Sequence, residues 1–323
     1  MDKNAKFKMI ETVERGQMNA GLTFGYVDVP KVITEEHRPF LNELTAASLA
    51  LQKEIREELH TETRDVEIPC EYGNIKARVY IPEGEGPFPL ILHYHGGGFA
   101  IRDIECFEFI SQYYCIHTPA VIVTPEYDLA PEKKFPTQVE QCYAALLWAR
   151  AHAEEYQANP EKDVVTGDSA GGNLSTVISM MCRDRGVRMP KLQILAYPVV
   201  DNRIGMNRES EKLYGEHYNL DLKHMESYTL AYVEKEEDIY NPYASPLLAE
   251  SLEDLPPCKI IFAQCDCLVD QGMEYVMRLK EAGVPVEYVV YKGVPHDFMF
   301  YGFPESYAAY EQVCKWINES VNK

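Results

Sequence analysis

The sequence predicts an α/β fold, a mostly parallel central sheet with helices on both faces. Three observations point there. From residue 88 to 320, apolar runs of strand length alternate with segments of helix length. Glycine-rich, acidic or histidine-bearing loops directly follow several of those runs, as in open sheets that keep their sites at the strand ends. The 323 residues, 46% of them hydrophobic, suffice for one large core, so a single domain over 1–323 is expected.

Residues 63–68 and 75–81 read as an antiparallel hairpin around the turn-forming triplet Tyr72-Gly73-Asn74. Further strands are expected near 88–94, 120–124, 162–166, 191–197, 258–264 and 286–291. Helices are expected near 105–117, 137–156, 170–184, 270–282 and 305–321. Two regions break the alternation. Residues 1–60 carry charged, helical-looking segments ahead of the first strand. Residues 200–240 fall between two core strands and hold Tyr214, Tyr218, Tyr228, Tyr232 and Tyr240. Most of these tyrosines are expected to pack on the buried face of surface helices, with one or two facing a pocket. No internal repeat or low-complexity segment occurs.

The stretch Gly167-Asp168-Ser169-Ala170-Gly171-Gly172-Asn173 contains Gly-x-Ser-x-Gly between the strand 162–166 and a helix beginning near residue 170. A serine on a sharp strand-to-helix turn is exposed for attack, and its neighbours must be small because strand and helix pass close by. The helix N-terminus beside it favours negative charge. The pattern alone arises by chance in roughly one chain in ten of this length. Three further features therefore matter.

His95-Gly96-Gly97-Gly98 follows the apolar run 88–94. Consecutive glycines let backbone N–H groups converge on one point, which suits stabilisation of an oxyanion. His296 follows the apolar run 284–291 after a short loop, where it can reach Ser169 as a general base. Asp266 directly follows the run 260–265 and can orient His296. Asp270 is a rival acid, but it reads better as the N-cap of the helix 271–282. The chain order is serine, acid, histidine.

Taken with Tyr127-Asp128-Leu129-Ala130-Pro131-Glu132, Tyr243-Ala244-Ser245-Pro246-Leu247, Asp266-x-Leu268-x-Asp270-x-Gly272, Ala282-Gly283-Val284-Pro285-Val286-Glu287 and His296-x-Phe298, these motifs resemble the hormone-sensitive-lipase-like group of α/β-hydrolase esterases. The resemblance spans about residues 62–320. It implies the α/β-hydrolase fold with a helical cap built from approximately 1–60 and 200–240. It implies Ser169, Asp266 and His296 as catalytic triad, and Gly97, Gly98 and Ala170 as oxyanion hole. His95, Gly96, Asp168 and Gly171 belong to the supporting motifs. It implies a small-molecule ester of short-to-medium acyl chain as substrate, acetylated sugars and aryl esters included, no metal or organic cofactor, and a homodimer as one mode of assembly. The chain departs from the group's pattern at Cys267, where proline is usual, at Asp128, where arginine is frequent, and at Asp297, where glycine is frequent.

Composition narrows the alternatives. A net charge of −20 disfavours nucleic acid and anionic membranes as partners. The N-terminal residues 1–10 have no run of signal-peptide length, and no segment reaches the ~20 apolar residues of a membrane span. Nine cysteines, an odd number without a close pairing pattern, fit a reducing compartment, so a cytoplasmic protein is expected. A redox or metal role for Cys265 and Cys267 stays a minor alternative. His93-Tyr94-His95 puts two histidines on one strand face, but no third metal ligand has a recognisable spacing. An amidase, formamidase or peptidase using the same three residues, and a non-catalytic receptor on the same fold, remain open at this level.

Overall fold

The computed structural model describes residues 29–56 and 58–321. Helix α1 (Arg38–Ile55) leads into the hairpin β1 (Glu62–Ile68) and β2 (Ile75–Ile81). Strand β3 (Phe88–Tyr94), helix α2 (Glu108–His117), strand β4 (Val121–Glu126) and helix α3 (Thr137–Ala151) follow. Next come β5 (Ala158–Asp168), α4 (Ala170–Asp184) and β6 (Leu192–Ala196). Two helices, α5 (Glu209–Tyr214) and α6 (Leu222–Tyr232), interrupt the alternation before β7 (Cys258–Cys265). The chain then forms α7 (Val269–Glu281), β8 (Val286–Pro295) and α8 (Pro304–Val321).

All eight strands form one sheet in the order β1-β2-β4-β3-β5-β6-β7-β8. The hairpin turns on Gly73, whose φ of 107° suits a residue without a Cβ, and its N–H donates to the Cys70 carbonyl at 3.1 Å. β2 runs antiparallel to β4, and every pairing from β4 to β8 is parallel. The inner strands alternate between two buried faces. Leu90 and Leu92 of β3, Val123 of β4 and Val165 of β5 point to a layer with α3 and α4. Ile91, Ile122 and Val164 point to a layer holding Tyr113 of α2 and Trp316 and Ile317 of α8. Strands buried on both faces read as continuous apolar runs, which is why the sequence announces them.

Several boundaries differ from the sequence expectation. β5 starts at Ala158 rather than near 162, because Ala158 and Asn159 pair with Phe88 and Pro89 across a bulge. Those added residues are polar or small and carry no apolar signal. β8 runs on to Pro295, again past an irregularity, so that Cys265 pairs with Pro295. The expected helix 105–117 opens with a 3-10 turn, Ile104–Phe107, and the expected helix 137–156 ends with another, Ala153–Tyr156.

The two regions outside the alternation pack together. Ile33 and Leu41 meet Ala100, Ile101, Ala130 and Ala231 in one apolar cluster, so α1 and α6 lie over the loop after β3. Arg38 fixes α1 there by donating to the Ala100 carbonyl at 2.9 Å and pairing with Glu132. The expected cap segment 1–28 lies outside the described residues. No helix among the described residues is long and apolar enough to cross a membrane.

The switch point of the sheet lies between β3 and β5. β3 connects outward to β4 on one side, and β5 connects to β6 on the other, which opens a crevice at their carboxyl ends. The turn from β5 into α4 fills that crevice. A Cβ on Gly171 would lie 1.9 Å from the Tyr94 carbonyl oxygen, and one on Gly167 would lie 2.4 Å from the same atom. Only glycine allows this approach. Gly171→Ala is therefore expected to destabilise the protein by about 1–3 kcal/mol, the range for overpacking a filled interior. Denaturant unfolding of the variant checks this.

Candidate active site

Strand register brings the functional side chains together. Cys265 pairs with Pro295, so the residues that follow them, Asp266 and His296, emerge side by side. Tyr94 pairs with Gly167, so the loop starting at His95 emerges beside Asp168 and Ser169. His296 Nε2 stands 2.9 Å from Ser169 Oγ, and His296 Nδ1 stands 2.7 Å from Asp266 Oδ2. A carboxylate only accepts, so the Nδ1–H donates to Asp266 and leaves Nε2 free to take the serine proton. Asp266 Oδ1 accepts the Leu268 N–H at 2.8 Å. All three side chains are buried. The edge of the Tyr197 ring lies 5.0 Å, centroid to centroid, from the imidazole and restricts its rotation.

Ser169 itself has φ 51° and ψ −114°, a conformation disfavoured for a residue with a side chain. Its N–H donates to the Ala196 carbonyl at 2.9 Å, and its carbonyl accepts from Asn173 at 3.1 Å. The turn is thus held from both sides. Ala170 begins α4, where the first N–H groups have no intrahelical acceptor.

The glycine loop faces the same point. Gly97 and Gly98 have φ of 123° and 59°, and the Gly97 carbonyl accepts from Ala100 and Ile101. Both glycines and Ser169 line one cavity of about 130 Å³. A Cβ on Gly98 would lie 2.5 Å from the Tyr228 ring, so α6 presses directly on this loop. The Gly96 N–H donates to Asp168 Oδ1 at 3.0 Å, tying the loop to the serine turn. His95 is buried and stacked on Tyr127 at 4.2 Å, and Tyr127 Oη donates to the His95 carbonyl. Burial pushes its imidazole down to about 4, so it stays neutral and serves as a wedge under the loop.

The sequence alternatives find other places. Asp270 sits inside the first turn of α7 rather than at its N-cap, and it accepts from the Ser210 N–H at 2.8 Å, which docks α5. Cys267 Sγ donates to the Leu220 carbonyl, and Cys265 packs with Tyr214 and Tyr218. His93 bonds Ser111 Oγ at 2.8 Å within a buried aromatic nest. Among the described residues, no group of three or more His, Cys, Asp or Glu could hold a metal ion. Asp128 accepts from Gln141 Nε2 at 2.8 Å and does not line the cavity. Of the five tyrosines in 200–240, Tyr218 and Tyr228 line the cavity. Tyr232 stacks on Phe99 at 3.8 Å, Tyr214 packs edge-on against Tyr218, and Tyr240 is exposed.

Arg102, Asn219, Asp297 and Tyr301 are among the cavity residues that escaped the sequence reading in this role. Asp297 stood out only as a departure from the resembled pattern. Arg102 carried a signal, a cation just past a glycine loop, but nothing local named its partner.

Electrostatics in the site are dominated by buried carboxylates. Burial opposes charge on His296, yet Asp266 outweighs it and holds the imidazole above the ordinary histidine value of 6.5. Burial, reinforced by Asp297, pushes Asp168 up to about 7. Its Oδ2 is buried without a hydrogen-bond partner. A carboxyl whose folded value lies above its unfolded value of 3.8 weakens the fold progressively as pH rises between the two. Asp168→Asn keeps the acceptor for Gly96 and removes that charge. The variant's melting temperature is therefore expected to gain on the parent's as pH rises from 5 to 8, which scanning calorimetry across that range checks.

A family model described as alpha/beta hydrolase fold matches residues 91–300. The chain is 36% identical over 248 residues to the carboxylic ester hydrolase LipN of Mycobacterium tuberculosis, a match covering 75% of this chain and 65% of LipN. It is 34% identical over 274 residues to an arylesterase of Saccharolobus solfataricus, covering 84% of this chain and 87% of that protein. Among solved structures, the thermostable carboxylesterase EstE1, cloned from a metagenomic library, superposes with a TM-score of 0.84 at 36% identity, covering 88% of this chain and 97% of EstE1. The chain belongs to the α/β-hydrolase fold family, in its hormone-sensitive-lipase-like group of esterases.

Proposed function

We propose that this chain is a serine carboxylic-ester hydrolase that works through an acyl-enzyme. The observation that carries the reading is the hydrogen-bonded line Ser169 Oγ, His296 Nε2, His296 Nδ1, Asp266 Oδ2, with steps of 2.9 and 2.7 Å, beside Gly97 and Gly98. Ser169 Oγ attacks the ester carbonyl while His296 accepts its proton. The N–H groups of Gly97, Gly98 and Ala170 receive the negative charge that develops on the carbonyl oxygen. His296 then protonates the departing alcohol, and a water activated by the same imidazole releases the acid. Asp266 fixes the tautomer and stabilises the imidazolium. None of these steps calls on a metal or organic cofactor.

The cavity supports a short-acyl or aryl ester as substrate. Its volume of about 130 Å³ falls below the roughly 300–1,000 Å³ of sites for drug-sized ligands. Val199, Leu220 and Met225 give it an apolar wall, so a small acyl or aryl group is desolvated there. In this reading 1–323 acts as one domain, with approximately 1–60 and 200–240 as its cap. None of the nine cysteines forms a disulfide, which supports a cytoplasmic setting. The edge of β8, unpaired among the described residues and with Tyr288 and Val290 exposed, is where a homodimer would form.

A p-nitrophenyl ester series from acetate to laurate tests the reading. The rate is expected to peak at short acyl chains. Ser169→Ala should reduce it by at least about 10³-fold with an unchanged melting temperature. Undiminished turnover in that variant would contradict the mechanism, and turnover of amides alone would move the substrate class. Only the neutral imidazole accepts the serine proton, so kcat/KM should fall as pH drops through a value above 6.5. Asp266→Asn should lower kcat by about 10⁴-fold through loss of the correct tautomer, measured with the same esters.

A further inference from the structure

Among the non-glycine residues with left-handed backbone around the site are Arg102, at φ 71°, and Asp297, at φ 67°. A non-glycine residue persists in such a conformation only where the surrounding structure over-determines it. Their side chains are both 6% exposed and paired, Arg102 Nη2 to Asp297 Oδ2 at 2.5 Å. The guanidinium also lies 3.9 Å from the centre of the Phe300 ring. Removing two charges from water for one ion pair contributes little to stability, and apolar replacements commonly do as well. Strain and desolvation together therefore ask for a role other than stability.

The location supplies one. Arg102 ends the loop that carries Gly97 and Gly98, and its own N–H donates to Thr45 Oγ1 of α1 at 2.8 Å. Asp297 directly follows His296. The ion pair thus spans the loop of the oxyanion donors and the loop of the base. A cap residue joins the same network. Asn219 Nδ2 donates to the His296 carbonyl at 3.1 Å, and Asn219 Oδ1 accepts from Tyr301 Oη at 2.9 Å. Tyr301 Oη also lies 3.4 Å from Asp297 Oδ2. Arg102, Asn219, Asp297 and Tyr301 all line the cavity that holds Ser169.

We propose that Arg102 and Asp297 are positioning residues for ester hydrolysis: the pair holds the His296 loop in register with the Gly97–Gly98 loop and balances the charge around the imidazole. The proposal rests on the function proposed above. Neither residue need touch the reacting atoms. The groups facing His296 are Asp266 at the end of β7, Asp168 and Ser169 at the end of β5, the Tyr197 ring at the end of β6 and Asp297 on its own loop, to which Arg102 is paired. From the cap, Tyr228 and His224 line the same cavity. Arg102 is the one guanidinium among these groups, set against the carboxylates of Asp168, Asp266 and Asp297. Loss of its charge leaves Asp297 free to favour the imidazolium. Loss of the Asp297 charge leaves Arg102 free to oppose it.

The test is kcat/KM against pH, and kcat and KM separately, for the parent, Arg102→Gln, Asp297→Asn, the double variant and Arg102→Lys. The acid limb is expected to move up in Arg102→Gln and down in Asp297→Asn, each by about half a pH unit or more. It should return toward the parent's position in the double variant and in Arg102→Lys. In both single variants kcat should fall by about ten-fold with little change in KM, as expected from misplacement of the base. Limbs that stay in place, limbs that move in the same direction, or a double variant whose losses are the sum of the singles would overturn the pair's role. If either single variant fails to fold, Arg102→Lys and Asp297→Glu replace them. These keep both charges, so kcat should fall at an unmoved limb, and an unchanged kcat would overturn the proposal. The parent and Ser169→Ala are measured alongside. Serine-independent turnover or none in the parent refutes the hydrolase reading, whereas serine-dependent turnover with unmoved limbs refutes only the pair.

Discussion

Helix α4 leaves β5 so abruptly that its first turn presses on the end of β3. The Tyr94 carbonyl occupies the space where side chains at 167 and 171 would stand, and the intervening Ser169 is forced to φ 51°. The rest of the site depends on this contact. It sets Ser169 Oγ beside the glycine loop leaving β3, at the N-terminal end of α4, where negative charge is favoured. It also explains the sheet order. β3 and β5 must be neighbours for the contact to exist, so β4 lies outside β3 although it follows it in the chain.

Around that contact the molecule concentrates charge where water is excluded. Asp168, Asp266, His296, Asp297 and Arg102 are all buried within the serine's surroundings. Each carboxylate has a different set of partners. Asp266 is satisfied by His296 and Leu268, and Asp168 by Gly96 alone, while Asp297 depends on Arg102 and Tyr301. In a low-dielectric site such differences separate the protonation behaviour of chemically identical groups. The helices over the site complete this environment. Tyr228 presses on Gly98, and Asn219 reaches the backbone of His296, so the segment 200–240 bears on both the glycine loop and His296.

Much of this was legible in the sequence, for a physical reason. Parallel strands buried on both faces appear as apolar runs, and the residues of interest follow those runs within a few positions. Ser169, Asp266 and the glycine loop each sit at the end of such a run, and His296 follows the apolar run 284–291 by a few residues that the structure includes in β8. What the sequence concealed depends on pairing across the fold. The extension of β8 to Pro295 rests on an irregular register with β7, and that register is what sets His296 beside Asp266. Asp270 reads as a helix cap, but the helix begins two residues earlier, at Val269, and the Asp270 carboxylate docks α5 instead. The five tyrosines of 200–240 could not be sorted by periodicity, because two helices and a loop share them between core, cavity and solvent. Arg102 and Asp297 are 195 positions apart, and their partnership exists only in three dimensions.

The central claim is that Ser169 is an activated nucleophile, and covalent trapping tests it most directly. The protein would be incubated with diethyl p-nitrophenyl phosphate, a phosphate triester that reacts with activated serines. Intact mass and peptide mapping would then locate the adduct. The account predicts one diethylphosphoryl group per chain, on Ser169, formed quickly in the parent and very slowly in His296→Ala. A folded protein that hydrolyses esters yet acquires no adduct, or acquires it on another residue, would contradict the account.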